Sequence, residues 1–168
     1  MLTRRDIIIK WSTYGMVSLA LVFLHALLLR GVTVLGVQAF LPPLLVGVVA
    51  SMEDTRAGMI FGLVCGVLCD LTVAGTFPCV YTIAFTLAAL ACSALAKSVL
   101  QPGVLCSVAA TALTFLFTDA LHMLSLFFKA RAPLGSMADV ALRELLVSLP
   151  LLIVCHPALS FLHRKFTI

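Results

Sequence analysis

Long apolar runs, separated by short polar or turn-forming breaks, make up almost the whole chain. A helix needs about 20 apolar residues to cross a bilayer. Six stretches approach that pattern: about 12–29, 34–52, 57–74, 79–96, 104–128 and 140–162. Between them lie Arg30-Gly31, the charged Glu53-Asp54-Thr55-Arg56, the Gly75-Thr76-Phe77-Pro78 turn, Lys97 to Gly103 and Lys129 to Gly135. Breaks this short make tight hairpins, so sequence neighbours are expected as antiparallel neighbours in space. The predicted architecture is all-α: a polytopic integral membrane protein with about six transmembrane helices in one bundle, a single transmembrane domain over residues 1–168. The second stretch is irregular, because Pro42-Pro43 must kink it or start a shorter helix there; five full spans plus a broken one is the alternative.

Composition strengthens the membrane reading. Of 168 residues, 62% are hydrophobic and 11% charged, outside the balance of a soluble domain. The net charge of +4 does not point to nucleic acid, since the basic residues sit at the ends of apolar segments rather than on a stripe with aromatics between them. They read as topology signals. With the N-terminus inside, the inner segments carry Arg4, Arg5, Lys10, Arg56, Lys97, Arg164 and Lys165, and the outer ones Arg30, Lys129, Arg131 and Arg143. That bias predicts both termini in the cytoplasm. Arg4, Arg5 and Lys10 before an apolar run imitate a secretory signal, but the run is long and lacks a small-x-small cleavage site, so it is kept as the first span.

The chemistry-bearing residues fall into two groups. Gly58, Gly62, Gly66 and Asp70 recur every fourth residue, which on a helix stacks them along one face. Glycines there let a neighbouring backbone approach closely, for internal packing or for a partner, and Asp70 ends the contact. Gly62→Leu and Gly66→Leu are expected to disrupt assembly more than Gly47→Leu. The second group is a buried polar layer of His25, Asp119, His122, Arg143 and Glu144. His25, Asp70 and Asp119 each come roughly 20 Å above the inner end of an outward-running span; His122 shares a face with Asp119. Intramembrane charges are costly unless paired or wet, so these groups are expected to face one another or a common cavity, with Asp70 held by Arg143 or by hydrogen bonds. The bland alternative is an outer-interface layer that only fixes helix register. His156 beside Pro157 reads as a packed or interfacial residue near an inner end. The six cysteines, without a C-x-x-C pair or histidine and carboxylate support, read as packing residues rather than metal ligands, and no cofactor is expected.

From Phe40 to about Ala96 the order is a proline-led apolar helix (Pro42-Pro43-Leu44-Leu45), a short charged break, Gly62-x-x-x-Gly66-x-x-x-Asp70-Leu71, a glycine turn and another apolar span. This resembles the MreD family, the small polytopic rod-shape-determining membrane proteins of bacteria. The basic N-terminus and Asp119 in the fifth span are also similar. The family often has a leucine-glycine pair in the turn after the aspartate, where this chain has Phe77-Pro78. The resemblance implies a non-catalytic scaffold of the elongation (rod) complex in the bacterial inner membrane. Its implied partners are an MreC-like membrane protein, an MreB-like filament and the glycosyltransferase and transpeptidase that insert peptidoglycan. It also implies a bundle similar to the S-components of energy-coupling-factor vitamin transporters. Such an S-component is the alternative function, with the polar layer as its ligand pocket. An integral-membrane enzyme would need a nucleophile or a carboxylate pair near His122, and Asp119-x-x-His122 alone is too slight a basis for one.

Overall fold

The computed structural model describes residues 4–28, 33–34, 36–72, 79–98, 103–130 and 134–167. Helix α1 (Arg4–Leu28) is followed by a small antiparallel hairpin of β1 (Thr33–Val34) and β2 (Val37–Gln38), paired Thr33 to Gln38 and Val34 to Val37. Then come α2 (Leu41–Met52), α3 (Thr55–Thr72), α4 (Val80–Ser98) and α5 (Val104–Ala130). The chain closes with α6 (Leu134–Ser148), a 3-10 turn at Leu149–Leu151 and α7 (Leu152–Thr167). Four described helical stretches are long and apolar enough to cross a membrane: Thr55–Thr72, Val80–Ser98, Val104–Phe128 and Gly135–Lys165. The apolar parts of the other two, Ile8–Phe23 and Leu41–Met52, are shorter.

The organising element is α2. The stretch expected as a span over 34–52 is instead a hairpin followed by a 12-residue helix. At roughly 18 Å that helix cannot cross a hydrocarbon core of about 30 Å. Pro42 and Pro43 occupy its first turn, where a missing N–H costs nothing and the fixed φ favours the helix; they start it rather than kink it. Every residue from Leu41 to Ser51 is buried. A helix that is apolar all round belongs in a core, and α2 packs against α1, α3, α4, α5 and α7. Gly47 makes one of these contacts possible: a Cβ there would stand 2.8 Å from both Cα and N of Thr111 on α5. Gly47→Leu, expected to disrupt assembly less than Gly62→Leu or Gly66→Leu, would thus meet backbone nearly as close as at Gly62, where the nearest atom is 2.7 Å away.

The stretch expected as one span over 140–162 is α6 and α7 joined through the 3-10 turn that holds Pro150. Proline cannot donate to the carbonyl four residues back and clashes with it, which explains a break at that point. Ser148 just before it is fully buried, and its Oγ accepts the backbone N–H of Phe40 at 2.9 Å. The entry to α2 is thereby tied to the 3-10 turn between α6 and α7.

Candidate functional site

Three groups of polar residues stand out in this apolar bundle, and each is built by a different pair of elements. The first is the α3–α4 seam. A Cβ on Gly62 would lie 2.7 Å from the carbonyl oxygen of Phe85, and one on Gly66 2.5 Å from Cα of Thr82. Gly58, at the other end of the row, would meet Cα of Ala50 at 3.1 Å and Oγ of Ser93 at 3.2 Å. The glycine row is therefore spent on internal contacts with α4 and α2. Asp70 completes the seam. Its Oδ1 accepts the backbone N–H of Tyr81 at 3.1 Å, and its Oδ2 accepts the N–H of Thr82 at 2.9 Å and the Thr82 hydroxyl at 2.6 Å. A carboxylate accepting from the first turn of a helix satisfies orphan donors and opposes the helix dipole. Cys79, the residue before α4, has φ 65° and cannot take the extended backbone of an ordinary N-cap, so the cap comes from the neighbouring helix.

The second group lies at the same end of the bundle, in a cleft of about 350 Å³ between α5 and α6. Residues 118, 119, 122, 123 and 126 present one face of α5; residues 136, 137, 140, 141 and 144 present the facing side of α6. Of the expected polar layer, Asp119, His122 and Glu144 line this cleft together, with Tyr81 and Phe40 forming the end wall. The rings of Tyr81 and His122 are 4.8 Å apart, and those of Phe40 and Tyr81 5.7 Å. His122 Nε2 is buried without a hydrogen-bond partner among the described residues. Arg143 pairs instead with Asp139 at 2.6 Å, one turn away on the exposed side of α6. Asp70 is accordingly held by hydrogen bonds and not by Arg143. The side chain of His25 and the Gly75 to Pro78 turn lie outside the described residues.

The third group is at the opposite end, and sequence reasoning missed it. Glu53, between α2 and α3, is gripped by three side chains from two elements, α1 and α7. Lys10 Nζ donates to Oε2 at 2.7 Å, the Tyr14 hydroxyl donates to Oε1 at 3.0 Å, and His163 Nδ1 lies 2.9 Å from Oε1. Burial pushes the Glu53 carboxyl up, but the hydrogen bonds from Lys10 and His163 and the Lys10 charge outweigh it, leaving the group below its ordinary value. Next to it, Ser51 Oγ is 3.2 Å from Ser107 Oγ, which is 3.1 Å from His156 Nδ1. The available signal was periodicity: Lys10 and Tyr14 are four apart on α1, and His156 and His163 are seven apart on α7. Nearby, exposed Lys97 donates to Asp54 Oδ1 and Thr55 Oγ1 at 2.7 and 2.8 Å, closing α4 onto the start of α3 and holding the Asp54 carboxyl below its usual range.

Among the described residues no group of three histidine, cysteine, aspartate or glutamate side chains is arranged to hold a metal ion. The arrangement does two things: it locks helices by capping and ion pairing, and it leaves one acidic, aromatic-walled cleft open. Together with four helices long and apolar enough to cross a bilayer, this architecture is compatible with a multi-pass α-helical membrane protein. No family model matches the chain, and no curated protein or solved structure matches it either.

Proposed function

We propose that this protein is a non-catalytic, MreD-like scaffold of the bacterial elongation complex, coupling an MreC-like single-span protein and an MreB-like filament to peptidoglycan synthesis. One observation carries the reading. The residues through which the sequence resembles that family, Pro42-Pro43, Gly62, Gly66 and Asp70, all serve helix placement: the prolines start α2, the glycines close α3 on α4, and Asp70 caps α4. A motif used in this way makes a stiff frame rather than a reaction centre. The opposite side of α3 presents Ile60, Leu63, Val64, Val67 and Leu71 outward, an apolar strip suited to lipid and to a partner's transmembrane helix. On this reading the protein sits in the inner membrane with both termini and the Glu53 end facing the cytoplasm.

The test is to purify the tagged chain from its own host and to deplete it in growing cells. Recovery of a single-span MreC-like partner, together with loss of elongated form on depletion, is the expected result. A vitamin-like molecule released on denaturation, with no partner recovered and normal cell shape after depletion, would overturn the scaffold in favour of an S-component.

A further inference from the structure

The α5–α6 cleft has a chemistry that helix packing does not explain. Asp119 and Glu144 line it from opposite walls, close enough to interact electrostatically, and among the described residues no hydrogen bond or ion pair reaches either carboxyl group. Tyr81 lines the same space. It is only 7% exposed, its hydroxyl has no hydrogen-bond partner among the described residues, and Asp70, Asp119 and Glu144 all act on it electrostatically. With the orphaned Nε2 of His122 added, the cleft holds several polar groups that the fold leaves unmatched. Packing alone would have filled such a place with aliphatic side chains, because unpaired polar groups in an apolar bundle are costly. The remaining lining is soft and apolar, including Met123, Met137, Leu126 and Val140.

Among the described residues the two carboxyl groups face no cation, which calls for a positive ligand. The aromatic wall of Tyr81 and Phe40 offers ring faces to an organic cation, a contact that attracts ammonium groups. A bare metal ion would need convergent ligands that the described residues do not supply. The volume sits near the lower end for small-molecule sites. We propose that the α5–α6 cleft binds the ammonium group of a small amphipathic amine, with the charge between Asp119 and Glu144 against Tyr81 and the apolar body along Met123, Met137 and Val140. A free amine and the headgroup of phosphatidylethanolamine share this chemistry. The inference does not depend on the scaffold reading, and either can fail alone.

The experiment uses the full chain in nanodiscs and equilibrium dialysis with phenethylamine, which is protonated at neutral pH. Its controls of similar shape are 3-phenylpropionate and 3-phenylpropan-1-ol. In phosphatidylglycerol discs we expect saturable binding of the amine, with affinity roughly tenfold or more above either control, since charge-assisted hydrogen bonds are the strong ones. Asp119→Asn and Glu144→Gln keep side-chain shape and should each weaken binding about tenfold, and Tyr81→Phe less, while Asp139→Asn on the outer side of α6 should not. Size-exclusion profiles identify any variant that fails to fold, and either carboxyl variant suffices. Loss of amine binding when phosphatidylethanolamine is added to the discs assigns the site to the headgroup; undiminished binding assigns it to a free amine. Equal uptake of all three probes, no saturable amine binding in phosphatidylglycerol discs, or unchanged binding in both folded carboxyl variants would overturn the proposal.

Discussion

Replacing Gly66 by alanine adds one methyl group where the helices are closest. That Cβ would meet Cα of Thr82 at 2.5 Å, the carbonyl oxygen of Tyr81 at 2.7 Å and N of Thr82 at 2.8 Å. Comfortable carbon contacts begin near ~3.5 Å. All three obstacles are backbone, so no rotamer change can relieve the overlap, and α4 must move off α3. Its first turn is also where Asp70 is bound, so separation strains the cap as well. Overpacking of this kind costs about 1–3 kcal/mol, and backbone obstacles with a strained cap place it at the upper end. Alanine regains about 1 kcal/mol of helix propensity over glycine. The net expectation is a loss of about 2 kcal/mol, roughly a 30-fold fall in the ratio of folded to unfolded protein. Gly15→Ala is the internal control, since nothing lies within 4 Å of a Cβ there and only the propensity gain operates. Reversible unfolding in mixed micelles, monitored by helical signal against denaturing detergent, reads both variants. A Gly66→Ala protein as stable as Gly15→Ala would refute the close-approach argument.

Asp70→Ala should cost about 1.5–3 kcal/mol in the same assay by leaving the α4 N–H groups without their charged acceptor, and Asp70→Asn less, because an amide oxygen still accepts; equal losses would point to another role. Gly47→Leu should be as damaging as Gly62→Leu, both being walled by backbone at under 3.0 Å; clear tolerance at Gly47 would contradict the buried placement of α2. Glu53 has a folded-state value below its ordinary 4.5, so it contributes stability that is fully present above about that pH and is lost as pH falls through the folded value. Glu53→Gln should therefore lower stability at neutral pH and flatten the acid limb between there and the folded value, measured as unfolding midpoints in a pH series; an unchanged acid limb would refute the role of the cluster. Reporter fusions at Ile168 and in the loop from Lys129 to Gly135 should give opposite compartment signals, and the same compartment for both would refute the proposed topology.

The sequence by itself determined the apolar helical runs and the local geometry. Their length and composition make α3, α4, α5 and the α6–α7 stretch able to cross a bilayer, where backbone polar groups must be satisfied within each helix. The four-residue glycine period placed Gly58, Gly62, Gly66 and Asp70 on one face, and the i, i+3 spacing placed Asp119 beside His122. What a face meets is another matter. That the glycine row meets α4, that Asp70 meets the N–H groups of Tyr81 and Thr82, and that Glu144 closes on Asp119 are facts about helices distant in sequence. Hydropathy is blind to them because lipid and a neighbouring helix are equally apolar. The same blindness hid α2: its run over 34–52 has the composition of a span, yet Pro42 and Pro43 restart the backbone and the helices around it leave no side for lipid. Arg143 and Glu144, adjacent in the chain, were separated by the roughly 100° between successive residues of α6, one toward Asp139 outside and the other into the cleft. The Glu53 cluster joins residues 10, 14, 53 and 163, and only the packing of α1 and α7 around the end of α2 could bring those four groups within hydrogen-bonding distance.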